Sequence, residues 1–148
     1  MFELAWERKG IMTDYRLPSG YRPDDEGMQQ RVLIIDDEKH LRDMLALVLT
    51  THGLEVTTCG NAAEALLQPM LHEFQYILTD HNMPGMNGLD LTRQLRRRLP
   101  YAVIIGMSGT DQSIDFLLAG ANDFLHKPFE VRDLALMLKG PGISRPNS

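Results

Sequence analysis

A short apolar run followed at once by three acids, Val32-Leu33-Ile34-Ile35 and then Asp36-Asp37-Glu38, constrains this chain more than any other feature. Four branched aliphatic residues in a row leave no polar face, so they predict a strand buried on both sides, as in a parallel sheet covered by helices. The period then changes. Leu41, Met44, Leu45, Val48 and Leu49 recur at i, i+3, i+4, i+7 and i+8, which is one face of a helix, and Gly53 stops it. The same alternation continues along the chain. Glu55-Val56-Thr57-Thr58 suits a second strand. Asn61 with Glu64 three positions on resembles a capping arrangement for a second helix, which Pro69 ends or kinks. Tyr76-Ile77-Leu78-Thr79 makes a third strand, with Pro84, Gly85 and Gly88 forming a loop after it. A helix over about 89–98 follows, with Leu91 and Leu95 one turn apart. Val103-Ile104-Ile105 is a fourth strand, Ile114 to Ala119 a short helix, Asp123 to His126 a brief fifth strand. Val131, Leu134, Ala135 and Leu138 mark a last helix. Five alternations of strand and helix predict an α/β fold: a doubly wound, five-stranded parallel sheet with helices on both faces and right-handed crossovers.

Composition bounds the function classes. The chain has 148 residues, enough for one domain with a real core. Residues 28–140 carry the alternation. Residues 1–27 include the polar stretch TDYRLPSGYRPDDEG with Pro18 and Pro23 and no periodicity, so they are expected to form a flexible tail or linker. Met12 or Met28 is an alternative start, and the end of a linker from an upstream domain is a third reading of the same segment. Residues 141–148, within GPGISRPNS, are expected to be a flexible C-terminal tail. A net charge of −5 argues against nucleic-acid binding through bulk charge. No apolar run approaches the roughly 20 residues that cross a bilayer, and MFELAWERKG mixes acid, base and Trp6 unlike a signal peptide. Cys59 stands alone, so no intrachain disulfide and no thiolate zinc site is expected. The expected location is the cytoplasm.

In a doubly wound sheet the functional crevice lies at the carboxyl ends of the strands, so the residues just after each apolar run matter most. Asp36-Asp37-Glu38 follows the first strand, Asp80 the third, Ser108 the fourth and Lys127 the fifth. Two carboxylates about 4 Å apart repel by roughly 4 kcal/mol at an effective dielectric near 20, so such a cluster calls for a cation. Its oxygen ligands suit Mg²⁺, which takes few carboxylates and keeps waters for a phosphoryl group. Lys127 either holds a phosphate oxygen or pairs with a carboxylate, and the Ser108 hydroxyl can bond further oxygens. The set reads as a phosphoryl site with an acidic acceptor.

Asp36-Asp37, Asp80 in DHNMPGMNG, Ser108 in MSGT, and Lys127-Pro128-Phe129 together resemble the receiver domain of two-component response regulators, over roughly residues 30–139. The resemblance implies the flavodoxin-like strand order 2-1-3-4-5. It implies that Asp80 is the phosphoacceptor, taking a phosphoryl group from a phosphohistidine on a sensor histidine kinase or histidine phosphotransfer protein. Asp37 corresponds to a direct Mg²⁺ ligand, Asp36 to one that reaches the metal through water, and Asn82 to the residue giving a backbone carbonyl. Ser108 corresponds to the switch hydroxyl, Lys127 to the family's lysine with a cis peptide to Pro128, and Phe124 to the aromatic that swings inward. Output then passes to another protein through the fourth helix, fifth strand and fifth helix, with an exposed apolar residue among Phe116, Leu117 and Leu118. A homodimer through that face is a further expectation, while direct nucleic-acid or membrane binding is not expected. The domain is no enzyme in the ordinary sense, though it assists its own phosphorylation and dephosphorylation.

Taken singly, each piece has a plainer reading. Three acids suit a helix N-terminus, Asp80 suits a loop cap, Lys127 before Pro128 suits a surface turn, and Phe124 suits a core. The five histidines show no metal-ligand spacing and are expected to be solvated, although His81 beside Asp80 is placed to tune a phosphoryl lifetime. Arg93, Arg96, Arg97 and Arg98 are expected to form an exposed helix face. Lys127 lies only 19 positions beyond Ser108, a few fewer than the family pattern, so the fourth helix or its loop is expected to be about a turn short. Alternative readings are a phosphorylation-independent interaction module, a receiver fragment of a hybrid histidine kinase, and a small phosphatase or phosphotransferase with Asp80 as nucleophile.

Overall fold

The computed structural model describes residues 30–139; the expected tails at 1–27 and 141–148 lie outside the described residues. Five strands alternate with five helices: β1 (Arg31–Ile35), α1 (Lys39–Thr51), β2 (Glu55–Cys59), α2 (Ala62–Leu66), β3 (Tyr76–Asp80), α3 (Gly88–Arg98), β4 (Val103–Ser108), α4 (Ser113–Ala119), β5 (Asp123–His126) and α5 (Val131–Lys139). The sheet order is β2-β1-β3-β4-β5, with every neighbouring pair parallel. All five carboxyl ends therefore lie along one edge.

Alternation along the buried strands divides the core in two. Leu33, Ile35, Ile77 and Ile104 face Ala62 and Ala65 of α2, Leu91 and Leu95 of α3 and Phe116 of α4. Val32, Ile34, Leu78, Ile105 and Met107 face Leu45 and Leu49 of α1 and Leu134, Ala135 and Leu138 of α5. The expected stripe on α1 is narrower than its period suggested. Leu45 and Leu49 are buried and Leu41 and Val48 half-buried, but Met44 is 45% exposed, because only one edge of the helix meets the sheet.

Local signals set the helix ends. The Asn61 side chain accepts from Glu64 N at 2.8 Å while the Glu64 carboxylate accepts from Gly60 N at 2.8 Å, a reciprocal start to α2. Asn87 caps α3 in the same way, accepting from Asp90 N at 2.9 Å. The second helix stops at Leu66, before Pro69; Met70 then adopts a left-handed conformation and a single 3-10 turn, Leu71–Glu73, leads into β3. The short helix expected from Ile114 to Ala119 is α4, which has seven residues and ends on Gly120 at φ 118°. No helix among the described residues is long and apolar enough to cross a membrane.

Arg96 departs from its expected place on an exposed face. It is half-buried and clasps the turn between α3 and β4 to the end of α4. Its Nε donates to Gly120 O at 2.9 Å, its Nη1 reaches Leu99, Pro100 and Ala102 carbonyls, and its Nη2 donates to Asn122 Oδ1 at 2.7 Å. Arg93, Arg97 and Arg98 are exposed as expected.

Candidate functional site

The carboxyl edge of the sheet is where parallel strands stop and their connections splay apart. Asp36 leaves β1 fully buried, its amide donating to Cys59 O at 3.1 Å and its carbonyl accepting from Arg42 Nη1 at 2.7 Å. One carboxylate oxygen of Asp36 accepts from Glu38 N at 2.9 Å and the other from Lys127 Nζ at 2.8 Å. Asp80 closes β3, nearly buried, and accepts from the same ammonium at 3.0 Å. Asp37 is exposed beside them, and one carboxylate oxygen from each of Asp36, Asp37 and Asp80 lies within 4.8 Å of the others. Lys127 is thus a shared counter-ion between two strand ends. The peptide from it to Pro128 is cis, as the resemblance implied.

Electrostatics follow from this crowding. Burial raises the Asp80 carboxyl above the usual range, and the Asp36 charge raises it further, against the Lys127 hydrogen bond and charge that lower it. Burial works against the Lys127 ammonium, but hydrogen bonds and charge from Asp36 and Asp80 outweigh it, so its pKa lies above the ordinary lysine value. With three carboxylates ionised, one ammonium cannot neutralise the cluster. The donor set is all hard oxygen, with one member open to solvent, and this fits Mg²⁺ better than a softer metal.

The end of β3 at Asp80 is held by several backbone contacts. Thr79 Oγ1 donates to Asp80 O at 3.0 Å, and His81 N donates to Met107 O at 3.0 Å. Gly88 lies so close that a Cβ there would fall inside the Asp80 carbonyl, while its amide donates to His81 O at 2.9 Å. Asn82, two positions beyond Asp80, is exposed.

Ser108 ends β4, buried, but its hydroxyl is not bonded to the acids. It lies 3.2 Å from Thr110 Oγ1 and accepts from Thr110 N at 3.2 Å, while its carbonyl accepts from Lys127 N at 2.7 Å. The serine therefore joins the loop after β4 to the lysine end of β5. Phe124 is half-buried on β5 and packs on the core. An apolar groove of about 330 Å³ lined by Leu41, Met44, Lys127, Pro128, Phe129 and Val131 opens beside the lysine.

The structure thus brings together Asp36, Asp37, Asp80 and Lys127, with Ser108 one strand over. Of the histidines, His81 is not solvated as expected: its ring packs edge-on against Phe116 with centroids 6.1 Å apart, and His52 is half-buried. Sequence reasoning passed over Arg42 and Gly106, took Gly88 only as part of a loop, and offered Phe116 with Leu117 and Leu118 for the exposed output face, where Leu117 and Leu118 are exposed and Phe116 is fully buried. A glycine inside the apolar run VIIGMS was the available signal, since glycine within a strand marks a close approach by another group.

Comparison with known proteins gives the same pattern. A family model described as response regulator receiver domain matches residues 32–139. The DNA-binding response regulator MtrA of Mycobacterium leprae is 32% identical over 115 residues, covering 76% of this chain and 51% of that protein. Protein PetR of Rhodobacter capsulatus is 38% identical over 109 residues, covering 72% of this chain and 46% of its own. The chain therefore spans about half the length of the curated relatives it matches. Among solved structures, a CheY-like receiver domain protein from Methanospirillum hungatei superposes with a TM-score of 0.73 at 28% identity, covering 80% of this chain and 97% of that one. The response regulator TrrA from Thermotoga maritima, in complex with Mg²⁺ and BeF, superposes with a TM-score of 0.69 at 28% identity over 75% of this chain and 97% of that one.

Proposed function

This chain belongs to the response regulator receiver domain family of two-component systems, and on that premise we propose that Asp80 accepts a phosphoryl group and thereby switches protein–protein contacts. One observation carries the reading: Lys127 Nζ bridges Asp36 and Asp80 beside exposed Asp37, so the acceptor carboxylate sits among groups suited to phosphoryl and Mg²⁺ oxygens. Mg²⁺ would be held by Asp37, Asp80 and the Asn82 backbone carbonyl, with Asp36 reaching it through water, as the resemblance implies. Bound there, Mg²⁺ supplies neutralisation of charge on the transferring phosphoryl oxygens.

The donor is a phosphohistidine on a sensor histidine kinase or histidine phosphotransfer protein. An Asp80 carboxylate oxygen forms a bond to phosphorus as the histidine N–P bond breaks, and the imidazole keeps the electron pair. Lys127 holds a phosphoryl oxygen with the ammonium it now shares between two acids. Ser108 leaves Thr110 for a second phosphoryl oxygen, which biases the loop from Ser108 to Asp111 between two arrangements. Phe124 follows by moving inward, and the shift in population is the output. Later hydrolysis by water restores the carboxylate, so the domain assists its own chemistry without turning over an external substrate. Output goes to another protein, or to a second copy, through α4, β5 and α5, where Ile114, Leu117 and Leu118 are exposed. The net charge of −5 argues against direct nucleic-acid contact through bulk charge.

Intact mass after incubation with acetyl phosphate and Mg²⁺ tests this. A single Mg²⁺-dependent phosphoryl adduct, absent from Asp80→Ala, is the expected result. An adduct that survives in Asp80→Ala overturns the assignment of the acceptor.

A further inference from the structure

Gly106 and Ser108 point to the same face of β4, two residues apart, and Gly106 is the register partner of Phe124 on β5. A side chain at 106 would separate Ser108 from the helices, and glycine leaves a slot there instead. Phe116 of α4 fills it. The ring is fully buried, and a Cβ built on Gly106 would land inside it. Phe116 and Phe124 are already in contact, with centroids 5.7 Å apart, and His81 packs edge-on against Phe116. An inward-moving Phe124 has to pass over its own register partner, and that space is occupied.

We propose that Phe116 and Phe124 compete for the single slot over Gly106, so that inward entry of Phe124 expels Phe116 and detaches α4 from the sheet. This rests on Asp80 being the phosphoacceptor and Phe124 the mobile aromatic. The consequence is larger than a rotamer change because α4 is so short. Its seven residues bury only Phe116 and Ala119, and an isolated helix of two turns has no stability of its own in water. Its two ends are held unequally. Arg96 Nε grips the Gly120 carbonyl after the helix, whereas the segment before it is the Ser108–Asp111 loop that phosphorylation rearranges. Release therefore starts at the N-terminal end and pivots about Gly120. The freed segment adds Phe116 to the apolar side chains of Ile114, Leu117 and Leu118 that α4 already exposes.

Hydrogen exchange by mass spectrometry on the full chain, with and without acetyl phosphate and Mg²⁺, tests the proposal, with the adduct read by intact mass in the same samples. In the phosphorylated chain, amides over 113–119 are expected to exchange at least tenfold faster while those of α3 are unchanged. Gly106→Ala is expected to show fast α4 exchange without acetyl phosphate, since the methyl group expels the ring; exchange in β1 and β3 reports whether that variant keeps its fold. Phe116→Leu, which shrinks the ring without crowding the sheet, is the second probe and is expected to reduce the phosphorylation-driven change below threefold. A wild-type adduct with unchanged or slower α4 exchange overturns the proposal and leaves the acceptor assignment standing. A complete lack of adduct in the wild type instead overturns the reading on which the proposal rests.

Discussion

Asp80 is built to be uncomfortable. Burial and the Asp36 charge raise its carboxyl above the ordinary value, and Lys127 only partly offsets them. A carboxyl whose pKa is higher folded than unfolded stabilises the fold fully below the unfolded value, near 3.8, and loses that contribution as pH rises through the folded value. Where Asp80 is ionised, its charge therefore opposes folding. Asp80→Asn is expected to raise the urea midpoint at pH 7 in metal-free buffer, and the gap from wild type to narrow as pH falls toward 4. Equal midpoints at pH 7 would show that Lys127 neutralises the acid fully. Gly88 belongs to the same scale: any side chain there would collide with the Asp80 carbonyl, so the Asp80 backbone is positioned by the absence of an atom.

At the scale of elements, the connections carry as much information as the helices. The run of arginines closing α3 looks uniform, yet Arg96 alone turns inward, its guanidinium serving five oxygens in the turn between α3 and β4 and the turn after α4. Its planar fork matches acceptors that lie in several directions, and an ammonium cannot span them. Arg96→Ala is expected to cost about 2–3 kcal/mol, by leaving carbonyls unpaired, and Arg96→Lys to recover less than half of that in urea titration. Arg97→Ala, on the exposed face, is expected to change stability by no more than ~0.5 kcal/mol. The same clasp fixes the far end of α4, which is why the helix can swing from its near end without leaving the domain.

At the scale of the whole molecule, the carboxyl edge couples folding to ligand. Three acids and one lysine come from β1, β3 and β5, so the cluster exists only in the folded sheet. A cation that binds the folded form stabilises the molecule by about 1.4 kcal/mol for each tenfold rise above its dissociation constant. Thermal midpoints measured against Mg²⁺ concentration are expected to climb steadily in the wild type and to be nearly flat in Asp37→Asn. A wild-type midpoint indifferent to millimolar Mg²⁺ would remove the metal from the account. The curated relatives that the chain matches are about twice as long.

The chain's local order was readable directly. Apolar runs of period 2 or none, helical stripes, and Asn61 and Gly53 at helix ends depend on neighbours within a turn or two, so they placed every strand and put Asp36, Asp37, Asp80, Ser108 and Lys127 at strand ends. The strand order came from the resemblance, and the sheet has it. The partners of those side chains were not readable in the same way, because they lie far apart in the chain. Lys127 reaches Asp36 across 91 positions. Phe116 meets Gly106 and Phe124 only because β4 and β5 pair in one particular register, and Arg96 differs from Arg97 only by the direction in which α3 presents it. Periodicity says which residues face inward, but the register of packed elements decides which of them touch. The chemistry of this edge therefore belonged to the sequence, and the coupling from that edge to α4 belonged to the fold.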